Sequence, residues 1–373
     1  MRPVLLTVLA VFGFGLFAPP ASLQDTPRNP YTQPATAYYD VAAWPASFAS
    51  PGYIRASNSG IFVGSPDRIY LISRGEIKLP ERLPANFNGT IGSLPPQVTS
   101  QKAELRNCIV VANSRGEILE RWTQHDHLFE VGGRGPHRIK INPHDPERHV
   151  WVVDDSGQQI YEFSHDGKQL VMTLGEAGVP GNDERHFGRP TDIAWLPDGT
   201  IFVADGYANS RIVKLDRNGK YLASWGVKGS GPGQFNLPHG IDIDRNRRVY
   251  VADAHNSRVQ VFDENGRFLD QWPNIWRPDV LMVSADQHVW IAAGATDMML
   301  KFDLNGKQLA AWGTPGPAAG AFHDIHGFGV DSTGVFYASE AAGGRTQKFT
   351  PRPGVDPAML VGLQQPLAPL KRQ

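Results

Sequence analysis

"RPTDIAWLPDGTIFVADGYANSRIVKLDRNGKYLASWG" (Arg189–Gly226) reads as four short strands separated by three turns. Its strands are runs of β-branched and aromatic residues, and its turns carry Asp-Gly and Asn-Gly pairs that accept the positive φ of tight hairpins. The phrase recurs. Its third turn returns as "HDG" ending at Gly167, "RNG" at Gly219, "ENG" at Gly266 and "LNG" at Gly306. A tryptophan follows six residues after three of these (Trp225, Trp272, Trp312), and Trp122 stands likewise after Gly116, whereas in the second unit Leu174 takes the place about one residue late.

Counting back eleven from the aromatic of each second strand finds the residue that opens each first strand. These lead positions are Ser59, Thr191, His239, Asp279 and His326, with His137 in "GPHRIKI" as the equivalent in the second unit. Successive leads are 78, 54, 48, 40 and 47 residues apart. A four-stranded unit repeating every 40–50 residues is a propeller blade, and six leads make a six-bladed all-β propeller. The long first interval holds an insertion at about 78–105, rich in Pro, Asn and Gly. The sixth unit lacks a fourth strand after "GVFYASEAAGGRTQKFTP", but "YYDVAAWPA" (residues 38–46) matches the fourth-strand phrase "KQLAAWGTP". We expect that N-terminal strand to complete blade six and close the ring, which removes the exposed edges of an open sheet. The propeller then spans 38–351, with a C-terminal tail at 352–373.

The 373 residues, 41% hydrophobic and 20% charged, are enough for a large core. A formal net charge of -1 without basic blocks argues against nucleic acid or an anionic membrane as the main partner. Residues 1–24 read as a secretory signal peptide: Arg2, then an apolar stretch from Val4 to Phe17, then small residues. An uncleaved anchor is the alternative. Cleavage leaves a secreted or periplasmic protein, off the membrane and expected as a monomer, behind a polar, Pro-rich lead-in at 25–37. The single cysteine, Cys108, excludes an intrachain disulfide, and in the run "CIVVAN" it reads as a buried structural thiol.

Histidine occupies the lead in blades two, four and six only. All first strands line the channel and start at one face, so equivalent leads form a ring around the axis. Alternate members of a six-fold ring stand about 120° apart, and three imidazoles so placed suit a zinc ion with an open coordination position. The bland alternative is three channel histidines hydrogen-bonded to water. His125, His127, His144 and His149 lie in polar loops without this register and read as solvated surface. Second strands run back to the lead face, so Tyr207 in "ADGYANSRIV" and Arg74 in "LISRGE" are expected over the metal. A phenol beside a cation can serve as a base, and a guanidinium offers a fork to a carboxylate.

With these motifs the chain resembles NHL-repeat proteins and, more specifically, the peptidyl-α-hydroxyglycine α-amidating lyase family. The resemblance covers roughly Ser57 to Phe349 and is carried by "GPHRIKI", "NDERHFGRPTDIAW", "FVADGYANSRIVKLDRNGK", "PGQFNLPHGIDI" and "HDIHGFGV". It implies zinc on His137, His239 and His326, a catalytic tyrosine at Tyr207 and a substrate-binding arginine at Arg74. It implies a substrate, small molecule or peptide, that bears a carboxylate, and cleavage of a carbinolamide C–N bond to an amide and glyoxylate. Four positions depart from the family. Ala254 stands for a second arginine, Asp324 for a methionine, Ala208 for a disulfide cysteine, and Gly327 for the aspartate that serves a structural calcium. Calcium at that place is therefore doubtful, because backbone carbonyls alone hold this hard cation poorly. Two other functions compete: a non-catalytic propeller that binds a peptide, glycan or protein, and a lactonase-type hydrolase using Asp279 and Asp324.

Overall fold

The computed structural model describes residues 33–45 and 47–371; the expected signal segment lies outside the described residues. Within them, six four-stranded antiparallel sheets stand in a ring. In blade three the strands are Pro190–Trp195, Ile201–Asp205, Arg211–Leu215 and Tyr221–Trp225, paired in that order. The first two are wholly buried, whereas the fourth alternates between half-buried and exposed. That gradient explains the text of each repeat: near-continuous apolar runs inside, period-two alternation at the rim. First strands of successive blades contact one another around the channel.

The recurrent tryptophan and glycine belong to neighbouring blades. Gly266 of blade four sits at φ +83°, and a Cβ there would lie 2.6 Å from the Trp225 ring of blade three. Gly167 meets Trp122 and Gly306 meets Trp272 in the same way, while Gly219 meets Leu174. The turn therefore needs glycine twice, once for its left-handed backbone and once for the ring pressed against it. Each pair seams one blade to the next.

Blade six closes as expected. Tyr39–Ala43 pairs antiparallel with Thr346–Pro351, outside Phe336–Glu340 and Ile325–Val330. Trp44, at the place of the other rim tryptophans, donates its indole N–H to the Asn113 carbonyl of blade one, 3.0 Å away. Tyr39, Trp44 and Phe48 are buried. Losing three such aromatics, at about 3–5 kcal/mol each, exceeds the margin of many folded domains. Deletion of residues 1–48 is thus expected to abolish or severely lower the cooperative thermal transition; an unchanged Tm would contradict the closure.

The insertion in blade one has its own small core of Ile54, Ile77, Ile91, Leu94 and Val98, built around a ribbon pairing Tyr53–Arg55 with Glu76–Lys78. Its Gly92 amide reaches the Gly343 carbonyl, so it leans on blade six at the lead face. A cleft of about 620 Å³ lies between this insertion (Asn88, Ser93) and loops of blades five and six (Asp297, His323, Arg345). On the opposite face the C-terminal residues cross the channel mouth. Gln364 bonds the Val63 carbonyl of blade one, Gln365 that of Ile243 in blade four, and the Ala368 amide that of Pro143 in blade two.

Candidate metal centre

Four of the six lead residues sit at a β-bulge. Pairing shifts register across Thr191, His239, Asp279 and His326, so each is the extra residue of its strand. Bulges re-aim a side chain locally, and two of them carry His239 and His326, whose rings converge with His137. The residue two before each of these leads carries the backbone strain: Arg189, Leu237, Arg277 and Asp324 all have φ between +48° and +70°.

His137, His239 and His326 converge as the repeat requires. Their ring centroids are 4.8–5.0 Å apart and the rings stand nearly perpendicular. One nitrogen from each lies within 4.8 Å of the other two. All three rings are oriented by one rule. The Nδ1 of His137 lies 2.7 Å from the Thr191 carbonyl, that of His239 2.6 Å from the Asp279 carbonyl, and that of His326 2.7 Å from the Ser59 carbonyl. Each acceptor is the lead residue of the following blade. Nδ1 must donate to a carbonyl, so the proton sits there and the Nε2 lone pair faces the axis.

Electrostatics hold the rings neutral. Burial lowers all three imidazole pKa values; His137 is lowered further by His326, His239 and Arg74, and His239 falls to about 4 with Arg138 adding to the effect. Three buried neutral imidazoles with inward lone pairs fit a divalent ion such as zinc.

Tyr207 joins them. Its hydroxyl lies 3.1 Å from His137 Nε2 and 2.9 Å from His239 Nε2. A phenol O–H can donate to only one of these at a time. Burial pushes Tyr207 up to about 12, with Asp155 adding to it and Arg74 opposing; a cation on the imidazoles would act in the opposite sense.

Arg74 is placed less simply than its motif suggests. Its guanidinium donates to the Gly135 carbonyl at 2.6 Å and to Asp155 at 2.5 Å. Asp155, fully buried, also receives Arg189 at 2.5 Å, and Arg189 stacks over the Tyr207 ring at 4.7 Å. Burial raises the Asp155 pKa, but Arg74 and Arg189 overcome it and hold the carboxyl below its usual range. Two guanidinium groups against one carboxylate leave a net positive charge beside the tyrosine, the sign that an anionic substrate needs. Arg189 and Asp155 escape a reading by repeats alone. The available signals are the doubled Asp in "VVDD", where blades three and four have one, and the position two before the lead.

Asp279 and Asp324 both pair with Arg277, so neither is left free to face the axis as the hydrolase alternative requires. Gly327 leaves no room for a carboxylate: a Cβ there would meet Ser339 Oγ at 2.7 Å and the Ile61 amide at 2.9 Å. Arg138, also buried, donates to the His326 carbonyl at 2.6 Å and lies 3.5 Å from Asp192. Two expectations need correction, for His149, which is half-buried against Asp145 and Glu162, and for His125. His125 is not solvated: it is buried, its Nε2 lies 2.7 Å from the Gly167 carbonyl, and its ring packs on Phe163. Cys108 is a buried free thiol whose pKa burial raises, which makes it a poor nucleophile.

Comparison with known proteins finds relatives by sequence and by fold. The model of the NHL repeat matches residues 235–262. The chain is 31% identical over 227 residues to mouse peptidyl-glycine alpha-amidating monooxygenase, covering 59% of this chain and 21% of that protein. It is 38% identical over 152 residues to peptidyl-alpha-hydroxyglycine alpha-amidating lyase 1 of Drosophila melanogaster, covering 37% of this chain and 27% of the relative. The matches thus take in under a third of either relative's length. Among solved structures, a streptogramin B lyase superposes with a TM-score of 0.55 at 11% identity, over 85% of this chain and 99% of that one, which speaks for the fold alone. By its repeats and these relatives, the chain carries an NHL repeat and is similar to the peptidyl-α-hydroxyglycine α-amidating lyases.

Proposed function

We propose that the protein is a zinc-dependent lyase that cleaves the C–N bond of a peptidyl-α-hydroxyglycine-like carbinolamide, releasing an amide and glyoxylate. The observation that carries this reading is the phenol of Tyr207 set against the lone pairs of neutral, tautomer-fixed imidazoles. A binding propeller has no use for that convergence.

His137, His239 and His326 hold the ion. When bound, zinc supplies Lewis acidity that makes an adjacent alcohol easier to deprotonate. Tyr207 takes the proton of the α-hydroxyl. As the C–O bond becomes the carbonyl of glyoxylate, the C–N electron pair returns to nitrogen, and the proton held at Tyr207 Oη can be passed to it. Arg74 and Arg189 hold the substrate carboxylate, with Asp155 fixing both forks in place. Asp155 is fully buried between them, so the guanidinium planes are set before substrate arrives. The insertion and the cleft beside it leave room for the remainder of a peptide on the same face.

Glyoxylate release from α-hydroxyhippurate tests the reaction. Arg74→Ala is expected chiefly to raise KM, by the loss of a charge-assisted contact of about 1.5–3 kcal/mol, roughly 10- to 150-fold. An unchanged KM would remove Arg74 from the carboxylate site.

A further inference from the structure

A second group of ligating side chains lies at the other end of blade two. Asp145, His149 and Glu162 each bring a donor atom within 4.8 Å of the others. Asp145 and His149 sit in the turn between Arg138–Ile141 and Val150–Asp154, and Glu162 sits on Gln159–Phe163, which pairs beside it. First strands start at the three-histidine face, so this turn lies at the opposite one.

The local charges do not balance. His149 Nδ1 is 2.8 Å from Asp145 and 3.4 Å from Glu162, while its Nε2 is 3.4 Å from Glu147. Three carboxylates thus surround one imidazole, and the one lysine in reach, Lys371, stands 3.3 Å from Glu147 at the exposed side. Glu162 is the telling member. It is only 8% exposed, and its carboxylate takes no hydrogen bond from any described residue. A buried carboxylate that shares one histidine with two other carboxylates keeps much of its desolvation cost.

We propose that Asp145, His149 and Glu162 form a second zinc site, independent of the three-histidine centre. Ligands held about 2.0–2.2 Å from a tetrahedral ion stand roughly 3.3–3.5 Å apart. The 3.4 Å from His149 to Glu162 already meets that spacing, and the 2.8 Å to Asp145 needs only a small opening. The ion takes the place of the Nδ1 proton. Glu147 then accepts the Nε2 proton, the outer carboxylate that commonly orients a ligating histidine. A cleft of about 230 Å³, lined by His144, Trp151, Trp195 and Arg217, adjoins the group and leaves a fourth position open to water. The carbonyls of Pro143 and Pro146 in the same turn receive the amides of Ala368 and Lys371, so an ion here also fixes the turn that docks the C-terminal crossing.

The test is zinc bound per chain after loading and dialysis, measured on the full chain in five forms. Wild type should hold two ions, His149→Ala one, His239→Ala one, and the double variant none. Glu162→Gln, nearly the same shape, should also hold one, which separates lost ligation from lost folding. Glyoxylate release should be unchanged in His149→Ala and Glu162→Gln. The proposal is overturned if wild type holds a single ion that His149→Ala and Glu162→Gln retain. It is likewise overturned if both variants still bind two. Loss of zinc only at the three-histidine centre in His239→Ala reports on that centre separately.

Discussion

Tyr207→Phe is expected to lower turnover by roughly 10²–10⁴ while leaving zinc content and fold intact, the usual contribution of a positioned acid–base group. The substitution keeps the ring over which Arg189 stacks and removes only the oxygen that lies 2.9 Å from His239 and 3.1 Å from His137. KM should change little, because the carboxylate is held by the arginines. The phenol starts from about 12 in the absence of a cation, so its service as a base depends on the ion beside it. That dependence is itself measurable: the acidic limb of the rate profile should lie well below pH 12 in the zinc-loaded enzyme. A fully active Tyr207→Phe would assign the proton transfer to another group.

His239→Ala should abolish both tight zinc binding at the triad and activity. Two imidazoles make a poor zinc site, and affinity falls steeply when one ligand of three is lost. The loss should be specific to the ion. His239 lies away from the rim tryptophans and turn glycines that seam neighbouring blades. Truncation does remove the bond from its Nδ1 to the Asp279 carbonyl, so a modest fall in Tm is expected alongside. Full zinc occupancy at the triad in this variant would refute the ligand assignment.

The fold and the histidine ring were legible because both are periodic. A repeat writes the same physical demand again and again: an apolar inner strand, a glycine turn and, in three seams, a tryptophan that packs on the next blade's turn. Histidine at alternate leads stood out against that background, as did Tyr207 at the end of a second strand. The closing strand was legible for the same reason, since residues 38–46 carry a fourth-strand phrase far from the blade they complete.

What lay outside the period was not legible. Asp155 joins Arg74 of blade one to Arg189 of blade three, and no local spacing encodes a contact across 34 to 81 residues. Arg74 could be placed at the right face, but not its commitment to a carboxylate already present. His125 looked solvated because its neighbours in sequence are polar; its burial comes from Phe163 and Gly167, on the adjacent blade. His149 was misread in a similar way, since Glu162 reaches it from a different strand. The bulges at the leads left a trace in sequence, residues such as Arg189 and Asp324 forced into positive φ, but only the backbone shows that they share a conformation.

The most direct test of the metal-centred lyase is glyoxylate release from α-hydroxyhippurate by wild-type protein stripped of metal and then reloaded with zinc. Stripped protein should be inactive, and activity should return in proportion to zinc bound at His137, His239 and His326, with one equimolar amide formed per glyoxylate. Undiminished release from stripped protein, or none from protein carrying zinc at the triad, would contradict the account.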